Sequence, residues 1–329
     1  MLPQFRHPHT LLRKTLCSIL FLCTLLLVTA AKSNGAANSS DITLRDEKRG
    51  RDIECRVHFP AGGQKLPLIV FSHGFGGDRT AFAAISQHVA EHGFVVIHPS
   101  HNDGFGRSSA QRGLGAFKGL RRGAELASQL DDPVKIEGRV EDIKYLLDHI
   151  DQIVDKVPAL KSRIDTTRIG VGGHSYGAYT SMLIGGVTVD LGGKKARSFA
   201  DPRVRCIMPV SGQGTGQQGL TETSWSSLKL PMLTMTGSRD QGATGQSPDW
   251  KQEPFKYSPP GDKYLVFIEG ANHFSFGGFG GRETDVTRIV SATSLAFWQA
   301  YLKDDDNARK SLKSADFAAE LNGAVITSK

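Results

Sequence analysis

Short apolar runs alternating with segments of helical periodicity limit this chain to a narrow set of folds. Residues 66–71, 94–98, 169–172, 204–210, 230–236 and 264–268 are nearly continuous apolar stretches, as expected of strands covered on both faces. Between them, residues 80–92 space Phe82, Ile85 and Val89 at helical intervals and stop at Gly93, where a helix C-terminus favours glycine. Val140, Ile143, Leu146, Leu147, Ile150 and Ile153 mark a second helix, residues 179–184 open a third, and a long amphipathic helix is expected over about residues 285–302. The alternation predicts an α/β fold with a mostly parallel, doubly wound sheet. Residues 53–59 and 66–71 follow one another without a helix between them, so an antiparallel N-terminal edge is expected.

The rest of the chain divides around that unit. Arg6, Arg13 and Lys14 precede an apolar run from residue 16 to residue 28 that ends in Thr29, Ala30 and Ala31, the pattern of a signal peptide over residues 1–31. The alternative is a membrane anchor, but the run is shorter than the roughly 18 to 20 residues a spanning helix requires. An exported protein, secreted or periplasmic, is expected, with no stable membrane span after cleavage. Residues 32–42, small and polar, read as a flexible lead-in, and residues 43–329 as one domain. Cleavage removes three positive charges and no negative one, so the formal net charge of +7 falls to +4. That mild excess has no long basic run and calls for no nucleic-acid partner. Cys55 and Cys206, the two cysteines beyond the leader, lie on segments placed far apart in the sheet and are expected as buried free thiols. Residues 102–137, rich in glycine and arginine, leave the C-terminal end of a strand and read either as a lid over the ligand face or as a solvated excursion.

The chemistry centres on Gly173-His174-Ser175-Tyr176-Gly177. In a chain with 37 glycines the pattern alone could arise by chance, but an apolar strand runs into it and a helix leaves it. Such a turn needs glycines beside the serine and presents its oxygen at a helix N-terminus, which makes Ser175 the candidate nucleophile. A serine needs a base. His273 follows the last apolar strand and precedes the final helix, and Asp240 leaves the end of the strand before it, giving the order Ser, Asp, His. Asp249 and Glu269 are the fallback acids. Two amides should wait for the oxyanion: that of Tyr176, directly after the nucleophile, and that of Phe75 in the glycine-rich loop Ser72-His73-Gly74-Phe75-Gly76-Gly77. Such a serine, base and acid need no metal and no cofactor. His98, His101 and Asp103 lack a firm ligand spacing and read as loop polar groups. Phe75, Trp250, Phe274, Phe276 and Phe279 could line an apolar acyl pocket, with core or rim packing as the alternative.

These residues together resemble one branch of the α/β-hydrolases. That branch holds dienelactone hydrolase-like proteins, platelet-activating-factor acetylhydrolases, chlorophyllases and bacterial cutinase-like polyester hydrolases. The resemblance runs from residue 46 to about residue 302. It rests on Asp46-Glu47-Lys48-Arg49-Gly50-Arg51, on the run from Leu66 through His73-Gly74, on the Ser175 motif, on the Asp240 and His273 segments, and on a helix from Arg139 to Asp148 with Arg-x-x-Asp. It implies the α/β-hydrolase fold, a triad of Ser175, Asp240 and His273, and an oxyanion hole of Phe75 and Tyr176. One departure bears on substrate. The acetylhydrolases carry the acid after an earlier strand, whereas the corresponding residues 206–212 hold no carboxylate, so the acid placement resembles the chlorophyllase and polyester-hydrolase side. The expected function is cleavage of a carboxylic ester, whether of a small molecule, a lipid or a polyester, through an acyl-enzyme. A serine peptidase of oligopeptidase type and a non-catalytic binding module are the alternatives on this fold.

Overall fold

The computed structural model describes residues 36–103, 123–277 and 284–329. The expected leader over 1–31, residues 104–122 of the segment read as a lid, and Phe279 lie outside the described residues.

Among the described residues the main sheet has nine strands in the order β1-β2-β4-β3-β5-β8-β9-β10-β11. They are β1 (Ala37–Asp46), β2 (Arg51–Pro60), β3 (Leu66–Ser72), β4 (Val95–Pro99), β5 (Ile164–His174), β8 (Val204–Val210), β9 (Met232–Arg239), β10 (Lys263–Asn272) and β11 (Ala324–Ser328). A hairpin of β6 (Val189–Leu191) and β7 (Lys194–Arg197) stands apart. From β4 to β10 the neighbours pair in parallel, and β1 with β2 and β2 with β4 are antiparallel. The fold is that of an α/β-hydrolase, with the antiparallel N-terminal edge expected.

Burial explains the double winding. Along β3, Leu68 and Val70 enter one apolar cluster while Ile69 and Phe71 enter another, so alternate side chains feed cores on opposite faces of the sheet. On the first face pack α3 (Pro133–Asp148), through Ile136, Val140, Ile143 and Leu146, and α5 (Tyr176–Gly185). Before and after α3 come α2 (Gly123–Leu130) and α4 (Ile150–Lys156). On the second face pack α1 (Ala83–Glu91), through Ile85 and Val89, and α7 (Asp285–Leu302), through Ile289, Val290, Phe297 and Trp298. The short helices α6 (Glu253–Tyr257), α8 (Asp306–Ser311) and α9 (Ala315–Leu321) complete the chain.

Three expectations need correction. Residues 37–42 are not a flexible lead-in but the first part of β1, which pairs along its length with β2. Ile42 and Leu44 face the core, and the guanidinium of Arg56 on β2 donates two bonds, of 2.7 and 2.8 Å, to Asp41. Cross-strand pairing thus orders residues of low strand propensity. The helix expected from about Arg139 begins at Pro133, with Asp132 accepting a bond from the Val134 amide as N-cap, and α2 precedes it. Within residues 102–137, the described residues 123–130 and 133–137 are therefore helical. Finally β11 adds a second antiparallel edge, on β10, that its mostly exposed residues did not announce. Cys55 on β2 and Cys206 on β8 are buried free thiols, with three strands between them in the sheet.

Candidate active site

β5 stops at His174 and α5 starts at Tyr176, which leaves Ser175 alone at the turn with φ 56° and ψ −118°. A residue with a Cβ is strained there, and the neighbouring glycines explain why the strain is accepted. A Cβ on Gly173 would lie 2.3 Å from the carbonyl oxygen of Gly177, and one on Gly177 would lie 2.0 Å from that of Ser72. Only glycines let strand, helix and the end of β3 close to this distance. From residue 169 to residue 185 every residue is buried except Ser175. The fold therefore lifts one side chain out of an otherwise sealed segment, at the N-terminus of α5.

The loop after β3 lies against that turn. A Cβ on Gly74 would sit 3.3 Å from the Cβ of Ser175, and Gly76 adopts φ +73°. Phe75 follows Gly74, its ring edge-on to that of Tyr176 at 5.9 Å. Tyr176 is the first residue of α5, whose opening amides have no acceptor within the helix.

His273 follows β10, and its Nδ1 lies 3.2 Å from Oδ1 of Asp240 and 2.8 Å from Oγ of Ser211. Asp240 is fully buried and accepts further bonds from Ser211 Oγ, at 2.9 Å, and from Thr236 Oγ1, at 2.9 Å. Burial pushes its carboxyl up, but the bonds from His273 and Ser211 and the charge of Lys251 outweigh this and hold it below the usual carboxylate range. Burial also lowers the basicity of His273, against the opposing pull of Asp240. His174, beside the serine, donates from Nε2 to the His273 carbonyl at 2.9 Å, with the two rings 4.8 Å apart. The structure thus brings His273 to Asp240 and fastens the His273 backbone to the residue before Ser175. The described bonds of His273 are made through Nδ1 and its carbonyl, and none joins it to Ser175 Oγ, the looser contact common in unliganded sites.

A family model described as platelet-activating factor acetylhydrolase, isoform II, matches residues 51–112. The platelet-activating factor acetylhydrolase of Canis lupus familiaris is 28% identical over 240 residues, covering 66% of this chain and 49% of that protein. That of Cavia porcellus is 25% identical, covering 74% of this chain and 59% of its own. Cutinase est2 of Thermobifida alba is 24% identical over 251 residues, covering 76% and 64%. The chain is similar to acetylhydrolases and cutinases, and its fold is that of an α/β-hydrolase. It spans about half the length of the canine acetylhydrolase it matches.

The structure gives the other candidate groups of this fold separate surroundings. Phe276, in the turn after β10, is fully buried in the core on the α7 face, the packing alternative rather than the pocket. Trp250, in the 3-10 turn Pro248–Gln252, commits its indole N–H to the Thr215 carbonyl at 2.8 Å. Phe274 is 40% exposed and edge-on to the His273 ring, and Phe75 is nearly buried. The fallback acids are engaged elsewhere, Asp249 with Gln252 and Glu269 with Ser238. His98, His101 and Asp103 point to separate partners. His98 meets Ser86, His101 lies between Ser72 and Asp142 at 2.8 Å from each, and Asp103 pairs with Arg139 at 2.6 Å.

Sequence reasoning overlooked the roles of Arg139, Ser211 and Lys251. Arg139, fully buried on α3, donates to the carbonyls of His73 and Gly74 and lies over the Tyr176 ring at 4.6 Å, so it braces the loop before Phe75. Its Arg-x-x-Asp spacing was the one available signal, since Asp142 joins the same network through His101. Ser211 stands directly after β8, at the strand end where a carboxylate was found missing.

Proposed function

We propose that this chain is a serine-dependent carboxylic ester hydrolase. Ser175 attacks the ester carbonyl, His273 takes the hydroxyl proton and returns it to the leaving alcohol, and Asp240 holds the imidazole with Nδ1 protonated. The amides of Phe75 and Tyr176 receive the oxyanion at the dipole end of α5. An acyl-enzyme on Ser175 is then released by water through the same histidine. The observation that carries this reading is the pairing of a lone unburied serine, strained at a strand-to-helix turn, with an Asp240-bound histidine whose backbone is fastened beside it. The names of the relatives, acetylhydrolase and cutinase, both denote ester cleavage and support the substrate class. The exposure of Phe274 beside His273 and the position of Phe75 in the loop after β3 support a role for these rings in meeting the acyl chain.

The leader pattern over residues 1–31 supports export, which N-terminal sequencing of secreted protein tests by finding a start near Lys32. For the chemistry, a fluorophosphonate probe should label Ser175, and Ser175→Ala should abolish hydrolysis of a short-chain nitrophenyl ester. Undiminished turnover in that variant would sink the mechanism. A panel of esters of increasing acyl length, with a soluble polyester fragment included, then assigns the acyl preference.

A further inference from the structure

We propose that Lys251 is a positioning residue of this site: its ammonium fastens Ser211 as the bridge between His273 and Asp240 and sets the charge against which His273 must ionise. The inference deepens the proposed function and rests on it.

Lys251 lies in the 3-10 turn Pro248–Gln252 and is 2% exposed. Lysine is seldom buried so fully unless paired, and among the described residues no carboxylate comes within 4 Å of its ammonium. Its hydrogen bond goes to the carbonyl of Ser211 at 3.0 Å, and the Trp250 ring lies 5.2 Å away. Burying a cation on so little compensation costs stability, so its place beside the acid and base calls for a functional account.

Ser211 supplies the link. It sits at φ +52°, its amide donates to the Met235 carbonyl at 2.7 Å, and its carbonyl receives Lys251. A strained residue held at both ends of its backbone has little freedom to turn its hydroxyl elsewhere. That hydroxyl makes the two short contacts of the triangle, 2.8 Å to His273 Nδ1 and 2.9 Å to Asp240 Oδ1, while the direct contact between histidine and acid is 3.2 Å. With one proton to give, Ser211 donates to Asp240 and accepts from Nδ1–H of His273. The imidazole is thereby oriented by two acceptors rather than one.

The charges work in opposite directions. The Lys251 cation favours ionised Asp240 and disfavours the His273 imidazolium, so it keeps the base free to lower pH. Other groups facing this cluster leave that balance to Lys251 and Asp240. His174, from β5, is held neutral by burial, its basicity reduced to about 3. Glu253, on α6, is taken up by the amide and hydroxyl of Thr215, and Asp249 is exposed and bonded to Gln252. Burial likewise pulls Lys251 down to about 8, against the attraction of Asp240.

The test uses the rate of Ser175 labelling by a fluorophosphonate as a function of pH, whose acid limb reports the free base. Lys251→Met should move the midpoint of that limb upward by about half a pH unit or more. Its Tm should hold or rise, because an apolar side chain replaces an unpaired buried cation. Lys251→Gln can still donate to the Ser211 carbonyl without the charge and should shift the limb in the same sense. Ser211→Ala keeps the charge and removes the bridge, so labelling at the optimum should fall several-fold with a smaller change of midpoint. A midpoint unchanged or lowered in the folded Lys251 variants overturns the proposal. Failure of the wild type to label at Ser175 would instead remove the underlying serine reading, so the two failures are distinguishable.

Discussion

Ser175 shows how little room the site leaves at the scale of single residues. Its motif could be read from the chain, but what makes it distinctive is that its neighbours are sealed while it is not. Gly177 has the least tolerance, since any Cβ there meets the Ser72 carbonyl at 2.0 Å. Gly177→Ala should therefore lose about 2 kcal/mol or more of stability, as a shift of the urea midpoint will show. Asp240→Asn leaves the shape intact but favours the wrong imidazole tautomer. By analogy with other triads kcat for a nitrophenyl ester should fall by about ten-thousandfold. A drop of only a few-fold would mean that Ser211 can orient His273 unaided. Lys251 and Ser211 were illegible in the sequence because nothing in their local surroundings separates a buried polar residue from a surface one.

At the scale of elements, periodicity revealed what was apolar and missed what was not. The helix α7 was legible from its amphipathic spacing and ends where expected. β1 and β11 were not, since one opens with small polar residues and the other is mostly exposed. Each exists because a neighbouring strand offers unpaired backbone groups. Removing residues 324–329 should uncover β10 and raise light scattering on mild heating, with little change in labelling of Ser175. The start of α3 is set by Asp132 and Pro133 rather than by its apolar stripe. Asp132→Ala should cost about 1 kcal/mol in urea unfolding, a value typical of a lost N-cap.

For the whole molecule the main consequence is acid sensitivity. His58, His73, His98, His101 and His174 are all buried. Burial holds each below the ordinary value of 6.5, His58 and His73 to about 4 and His174 to about 3. The unfolded chain takes up these protons near pH 6.5 while the folded protein does not, so stability is full above that pH and drains as the pH falls toward 4. Asp142, raised by burial to about 6, works the other way between about pH 4 and 6. It is one group against five. Tm should therefore fall by several degrees between pH 7 and pH 5, and a flat profile by calorimetry would contradict the burial of these rings.

The sequence by itself determined the doubly wound sheet, the strand-to-helix turn at Ser175 and the chain order of Ser175, Asp240 and His273. These depend on apolar periodicity and on glycine spacing, both local properties of the chain. Tertiary structure alone decided that Phe276 joins the core, that β1 is a strand, and that Arg139 braces the loop before Phe75. It also decided that the Ser211 hydroxyl meets Asp240 and His273 and that Lys251 reaches the Ser211 carbonyl. Those outcomes depend on which distant segments share a buried volume, and a hydrogen bond made across that volume leaves no periodic trace in the chain.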